Sequence, residues 1–202
     1  MNSSRTAVVY IHGAGGSAEE SKHYISLFSG CEVLGFDYRS DTPWDSAAEF
    51  RAYFQQAKTA YDRIILVANS IGAYFAMNAG VDDVIDRAYF ISPMVDMEAF
   101  ITRMMSWAGV TDDRLAAEGE IETSFGPTLS WKYLTWVRTH PVQWTVPTAI
   151  LYGSADSMVQ REWVEDFAAK HHASLMVMEG GEHWFHTEEQ MAFLDRWLIG
   201  AT

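Results

Sequence analysis

Ser70 lies in the segment of this 202-residue chain that is best suited to chemistry. It belongs to Ala68–Gly72 (ANSIG), directly after the apolar run Ile64–Val67 and directly before a helix-like segment. A serine hydroxyl becomes an effective nucleophile when a tight strand-to-helix turn holds it exposed, with a base in reach and N–H groups ready for the developing oxyanion. Small residues two positions before and after Ser70 allow such a turn. A second interpretation, that Ser70 only caps the following helix, stays open on this segment alone.

Three other segments carry polar or glycine-rich residues directly after predicted strands. They are His12–Gly16 (HGAGG), Gly153–Asp156 (GSAD) and Gly180–His183 (GGEH). A nucleophilic serine needs a general base whose second ring nitrogen is oriented by a carboxylate, and it needs N–H donors where the oxyanion forms. These segments offer a candidate for each part.

The elements that must position these residues follow from the hydrophobic pattern. Most of the predicted strands are apolar on successive residues, which is typical of strands covered on both faces in a parallel sheet. The strands are Ala7–Ile11, Val33–Tyr38, Ile64–Ala68, Ala88–Ser92, Thr148–Tyr152 and Ser174–Met178. Between them, apolar residues recur at three- and four-residue spacings, which predicts helices. The helices are Glu19–Phe28, Ala47–Tyr61, Ile71–Ala79, Arg161–His171 and Glu188–Leu198.

This alternation predicts an α/β fold: a doubly wound, mainly parallel sheet of about six strands with helices on both faces. Ligands of such folds bind outside the carboxyl ends of the strands, so the candidate residues above should meet there. No cysteine spacing indicates a metal site. The pattern shows no linker, and we expect one domain over residues 1–202.

One segment interrupts the alternation. Val95–Val146 separates two predicted strands by about fifty residues, whereas the median connection in a compact domain is roughly 4–6 residues. We expect an insertion at about residues 95–146 with helices of its own, serving as a lid or cap over an apolar pocket. A second interpretation stays open, because an insertion whose aromatic side chains only pack it against the sheet would have the same composition. The large apolar residues concerned are Met104, Met105, Trp107, Trp131, Tyr133, Trp136 and Trp144.

Charge and composition exclude several classes of partner. The formal net charge is −13, so no basic stripe is present to displace the counterions of nucleic acid or to bind an anionic membrane surface. No apolar run approaches the ~18 residues that span a bilayer, and Met1–Thr6 is polar and leads straight into a strand, which argues against a signal peptide. The single cysteine, Cys31, fits a reducing compartment. We expect a cytoplasmic protein with a small-molecule substrate.

Over nearly its whole length the chain resembles a small member of the α/β-hydrolase family, in which serine, acid and histidine follow one another in that order. The resemblance implies that Ser70 is the nucleophile, Asp156 the acid and His183 the base. Two departures are visible: Ala68 stands where the commonest turn has glycine, and the two antiparallel strands that begin larger members are missing.

The pair His12-Gly13 resembles the oxyanion-loop motif of the family. The oxyanion donors would then be the backbone N–H groups of Ile71 and of Ala14, or of Gly15 in place of Ala14. The candidate substrate-binding residues are Gly13, Gly15, Met94, Trp107, Trp136 and Trp184.

Two catalytic candidates have rivals. Asp96 follows the strand Ala88–Ser92, where some members of the family carry the acid; the motif around Asp156 favours Asp156. His186 lies three residues after His183 and could reach the same region, but His183 follows the glycine-rich strand end directly. His12 is expected to be a buried, hydrogen-bonded residue.

The expected function is hydrolysis of a small, apolar carboxylic ester or thioester through an acyl-enzyme, without metal or organic cofactor. Two alternatives stay open: a catalytically silent relative that binds a ligand or partner, and a lyase or carbon–carbon hydrolase with the same site. The sequence leaves the oligomeric state undetermined.

Overall fold

The computed structural model describes residues 4–201 of the chain. Residues 1–3, which belong to the polar start Met1–Thr6, and residue 202 lie outside the described part. The fold is built on a six-stranded sheet. Its strands are β1 (Thr6–Ile11), β2 (Glu32–Phe36), β3 (Arg63–Asn69), β4 (Arg87–Ile91), β7 (Thr148–Gly153) and β8 (Ser174–Met178). They lie in the order β2-β1-β3-β4-β7-β8, with every neighbouring pair parallel. The predicted doubly wound parallel sheet is therefore confirmed.

Helices cover both faces of this sheet, as the continuous apolar runs predict. They are a 3₁₀ helix (Ala18–Ser26), α1 (Pro43–Ala60), α2 (Ile71–Asn78), α6 (Arg161–His171) and α7 (Glu188–Ala201). The 3₁₀ helix and α7 bury Tyr24 and Leu194 against strand residues such as Tyr10. On the other face, Phe50 of α1 contacts both Phe36 of β2 and Phe75 of α2.

Two helices differ from their predicted form. The first is a 3₁₀ helix, although its apolar spacing also suits an α-helix. The second, α1, begins at Pro43 and not at Ala47, because Thr42 caps it by accepting a hydrogen bond from the backbone N–H of Asp45 at 3.3 Å. Proline at the first helical position, after a threonine cap, is a start signal visible in the sequence.

The segment Asp96–Val142 forms a compact unit of its own. It contains α3 (Met97–Ala108), α4 (Asp112–Glu118), α5 (Trp131–Thr139) and a two-stranded antiparallel ladder that the sequence pattern does not predict, β5 (Glu120–Ile121) with β6 (Leu129–Ser130). Arg138 of α5 links this helix to α3 and α4, since its guanidinium pairs with Glu98 at 3.0 Å and with Asp112 at 2.6 Å. The role of residues 95–146 as a lid stays a prediction.

Residues 4–201 contain no helix with the length and apolar character that a membrane span requires.

Candidate active site

Ser70 occupies the turn that joins β3 to α2, with φ 51° and ψ −122°. A non-glycine residue at positive φ costs about 1–3 kcal/mol and persists only where its surroundings enforce it. Here the Ser70 N–H donates to the carbonyl of Ile91 at 3.0 Å, and its carbonyl accepts from Met94 at 3.1 Å. A Cβ added at Gly72 would lie 2.4 Å from the carbonyl oxygen of His12, so glycine is required there for α2 to approach the end of β1.

The hydroxyl of Ser70 faces a histidine that is held by a buried carboxylate. Ser70 Oγ lies 2.9 Å from His183 Nε2, and His183 Nδ1 lies 2.7 Å from Asp156 Oδ2. Because an ionised carboxylate can only accept, Nδ1 carries the proton and Nε2 is free to accept from the serine. The Asp156 side chain is 0% exposed and that of His183 15% exposed. The other carboxylate oxygen, Oδ1, accepts from the backbone N–H groups of Met158 at 2.7 Å and Val159 at 2.9 Å.

Close backbone contacts hold the two loops that carry this pair. A Cβ at Gly153 would lie 2.3 Å from the carbonyl oxygen of Gly181, so the end of β7 touches the loop after β8 directly. The N–H of Ala155 donates to the same carbonyl at 2.8 Å, and Gly180 donates to Ser154 Oγ at 2.8 Å. The spacing between carboxylate and imidazole is therefore set by main-chain contacts.

The loop after β1 brings backbone N–H groups to the same edge of the sheet. Gly13 lies against the turn that carries Ser70, since a Cβ there would be 3.2 Å from Ser70 Cβ. Gly15 has φ 74°, a conformation that favours glycine. Within residues 4–201, no protein acceptor takes the N–H of Ala14 or of Ile71. Both amides are available to a ligand, as an oxyanion site requires.

These residues border a cleft of about 360 Å³. Its walls combine the glycine-rich loop, the serine and histidine, and two exposed apolar side chains, Met158 and Trp184. The lining residues are Gly13, Ala14, Gly15, Gly16, Glu20, Asn69, Ser70, Met158, His183 and Trp184. Ile71 lines an adjoining cavity of about 150 Å³, which shares Gly13, Ala14 and Gly15 with the cleft.

The family model described as "Alpha/beta hydrolase family" matches residues 8–196. The chain belongs to the α/β-hydrolase family. No curated protein matches this α/β hydrolase by sequence.

Solved structures share the fold of this α/β hydrolase at low sequence identity. Est1E from Butyrivibrio proteoclasticus is 19% identical with a TM-score of 0.74, over 98% of this chain and 87% of Est1E. The Pyrococcus furiosus esterase Pf2001 is 20% identical with a TM-score of 0.64, over 98% of this chain and 81% of the esterase. A monoacylglycerol lipase from Paleococcus ferrophilus is 16% identical with a TM-score of 0.65, over 97% and 95% of the two chains.

The rival candidates of this hydrolase have other partners. Asp96 caps α3, where its Oδ1 accepts from the N–H of Ala99 at 2.9 Å. The ring of His186 stacks on Trp184, and its Nδ1 bonds the Trp184 carbonyl at 2.7 Å. His12 is buried and stacks on Tyr38, and its Nδ1 donates to the Gly13 carbonyl at 2.8 Å. The arrangement therefore pairs the serine with His183 and Asp156.

The predicted substrate-binding residues divide into three groups. Gly13, Gly15 and Trp184 line the cleft. Met94 is buried and does not line the cleft. Its backbone N–H donates to the carbonyl of Ser70. The other two belong to the unit Asp96–Val142, where Trp107 contacts Phe125 edge-to-face and Trp136 stacks on His140. Their part in substrate binding stays a prediction.

Four residues that line the cleft were not among the predicted site residues: Gly16, Glu20, Asn69 and Met158. Glu20 could have been noticed, because Ser17 and Glu20 form the S-x-x-E capping box of the 3₁₀ helix. Asn69 directly precedes Ser70 in the chain. For Met158 the only signal is its position two residues after Asp156.

Proposed function

We propose that this α/β hydrolase cleaves small, apolar carboxylic esters or thioesters with Ser70, His183 and Asp156 as its catalytic triad. The observation that carries the proposal is the unbroken row of hydrogen bonds from Ser70 Oγ through His183 to Asp156, at 2.9 Å and 2.7 Å. Its serine end opens into the cleft and its aspartate end is buried. An accessible serine and a buried carboxylate suit a nucleophile whose histidine base is oriented from the buried side.

In the first half of the reaction, Ser70 Oγ attacks the carbonyl carbon while His183 Nε2 takes the hydroxyl proton. The carbonyl oxygen gains the negative charge, which the N–H groups of Ala14 and Ile71 stabilise. Asp156 stabilises the imidazolium and keeps its proton on Nδ1 without becoming protonated itself. Collapse of the intermediate breaks the ester bond, and His183 gives its proton to the departing alkoxide or thiolate.

In the second half, water repeats the sequence on the acyl-enzyme. His183 removes a proton from water, the resulting hydroxide adds to the acyl carbon, and Ser70 leaves with the proton from His183. The products are a carboxylic acid and the free, regenerated serine. No step involves a metal or an organic cofactor.

The substrate class rests on the cleft and on similar proteins. Met158 and Trp184 offer apolar contact at its rim, and its volume of about 360 Å³ suits a small molecule. Two similar structures are described as an esterase and a monoacylglycerol lipase. Carboxylic esters are therefore the first class to test, with thioesters next.

The test is Ser70→Ala, assayed on nitrophenyl esters of short and medium acyl chains, with Ser29→Ala as the matched control. Ser29 is exposed in a turn before β2 and lines none of the cavities described above. We expect Ser70→Ala to lower kcat by roughly 10³-fold or more while its melting temperature does not fall, and Ser29→Ala to match the wild type. Undiminished hydrolysis by Ser70→Ala would refute the triad.

A fluorophosphonate probe separates an enzyme from a silent binding protein. An activated serine reacts with the probe, and peptide mass mapping should place the label on Ser70 alone. A folded protein that takes up no label would favour the ligand-binding alternative.

A further inference from the structure

Glu20 brings a negative charge to the cleft beside the candidate nucleophile. Among the residues that line the cleft it is the only carboxylate, and none of them is lysine or arginine. A substrate that carries a carboxylate or phosphate near the ester would therefore find no counter-ion in these walls, and it would face a like charge.

The Glu20 carboxylate is fixed in place by two donors. The phenol of Tyr10 donates to its Oε2, and the backbone N–H of Ser17 donates to its Oε1 at 3.2 Å. Tyr10 is buried in the sheet and stacks on Tyr24 with ring centroids 5.0 Å apart. Burial, followed by the neighbouring Tyr24 and Glu20, raises the pKa of Tyr10 well above its ordinary range. The phenol thus stays a donor, and Glu20 presents its remaining acceptor capacity to the cleft.

Glu20 also stands where the cleft meets an apolar recess. A cavity of about 180 Å³ shares Glu20, Asn69 and Trp184 with the cleft. Its other walls are largely apolar, and its one histidine, His23, is already paired with Asp195 at 2.7 Å. A ligand that places an alkyl segment against this recess therefore passes the carboxylate.

We propose that Glu20 is a specificity-determining residue, which makes the site prefer substrates bearing an ammonium or hydroxyl group next to an apolar segment and disfavour anionic ones. The donor group of the substrate bonds the fixed carboxylate, while a carboxylate or phosphate at the same position is repelled. This inference rests on the proposed ester hydrolysis for its kinetic form.

The kinetic test uses three nitrophenyl esters of similar length that end in a methyl group (hexanoate), an ammonium group (aminohexanoate) or a carboxylate (adipate monoester). Each kcat/KM is divided by the rate of alkaline hydrolysis of the same ester, which removes intrinsic reactivity. A partly solvated charge contributes about threefold for each sign, so the ratio of ammonium to carboxylate ester should be about tenfold in the wild type. Glu20→Gln should lower that ratio by about tenfold.

Glu19→Gln is the matched control, because it removes the same charge one residue away. Glu19 is exposed, pairs with Lys22 and does not line the cleft. It should change the ratio by less than about twofold, since exposed charges at a distance are screened. The inference is overturned if the wild type prefers the carboxylate ester, if Glu20→Gln leaves the ratio unchanged, or if Glu19→Gln has an equal effect.

Equilibrium binding gives a reading that does not depend on hydrolysis. Calorimetric titration with hexylammonium and with hexanoate, which contain no scissile bond, should show tighter binding of the cation in the wild type and loss of this preference in Glu20→Gln. If the preference is present but no ester is hydrolysed, the proposed function fails and the role of Glu20 stands. If esters are hydrolysed and neither measurement depends on Glu20, the role of Glu20 fails and the proposed function stands.

Discussion

Replacing Asp156 by asparagine tests how the structure sets the proton on His183. In the wild type, Oδ1 of the carboxylate accepts from two backbone N–H groups and Oδ2 faces His183 Nδ1. The asparagine oxygen will take the place of Oδ1, because it alone can accept from those two N–H groups. Its NH₂ group must then donate to His183 Nδ1, which moves the imidazole proton to Nε2. With a proton on Nε2, His183 can no longer accept from Ser70.

The size of the effect follows from the cost of turning the amide over. The flipped amide restores the active tautomer, but it leaves the N–H groups of Met158 and Val159 without an acceptor. Each unpaired group costs about 1–3 kcal/mol, so the flipped form lies about 2–6 kcal/mol higher. The active fraction, and with it kcat, should fall by about 30-fold to about 2.5 × 10⁴-fold.

Asp96→Asn is the matched control in this experiment. Its amide oxygen can still cap α3 by accepting from the N–H of Ala99, so kcat on a nitrophenyl ester should stay within about twofold of the wild type. Thermal melts check that both variants fold. The reasoning is wrong if Asp156→Asn keeps more than about a tenth of the wild-type kcat, or if Asp96→Asn loses as much activity as Asp156→Asn.

Two further predictions concern packing and pH. In Gly153→Ala the added Cβ would lie 2.3 Å from the Gly181 carbonyl oxygen, so β7 must move away and the free energy of unfolding should fall by about 1–3 kcal/mol. Urea unfolding measures this, with Gly200→Ala as the control, because a Cβ at Gly200 meets no neighbouring atom and should not destabilise the protein. Equal unfolding curves for the two variants would contradict the prediction. Burial raises the pKa of Tyr10 and of Tyr24 in the folded protein. Above about pH 10 these phenols therefore ionise in the unfolded state before they ionise in the folded state. The free energy of unfolding should then fall by up to about 1.4 kcal/mol per pH unit for each phenol. In Tyr10→Phe the fall should be shallower, and an identical pH dependence in urea titrations would refute the assignment.

The sheet was predictable because its signal is local. An apolar run such as Ile64–Val67 can be stable only where both faces are covered, so it indicates a central parallel strand whatever the rest of the chain does. The start of α1 was also encoded locally, in Thr42 and Pro43, although apolar spacing alone places it four residues late. The antiparallel ladder of β5 and β6 has only two residues in each strand, too few for an alternating pattern to be visible.

Candidate site residues were predictable for a topological reason. Parallel strands end at one edge of the sheet, so polar segments after β1, β3, β7 and β8 must gather there. The same argument also admits Asp96, which follows β4, and it gives no ground for separating Met94, behind the serine, from residues that face the cleft. Glu20 was missed because it follows no strand; it reaches the cleft by packing against Tyr10.

The sequence by itself therefore determined which chemical groups are present, their order along the chain and the edge of the sheet where they gather. The family resemblance named Asp156 and His183 as partners, but only the tertiary structure brings these residues, 27 positions apart, to 2.7 Å from each other, through main-chain contacts between Gly153 and Gly181. Only the tertiary structure, too, placed Glu20 in the wall of the cleft that Ser70 lines. The distance between two segments that are far apart in the sequence depends on how closely their backbones pack and on which hydrogen bonds they form. Neither the periodicity nor the composition of the sequence specifies these contacts.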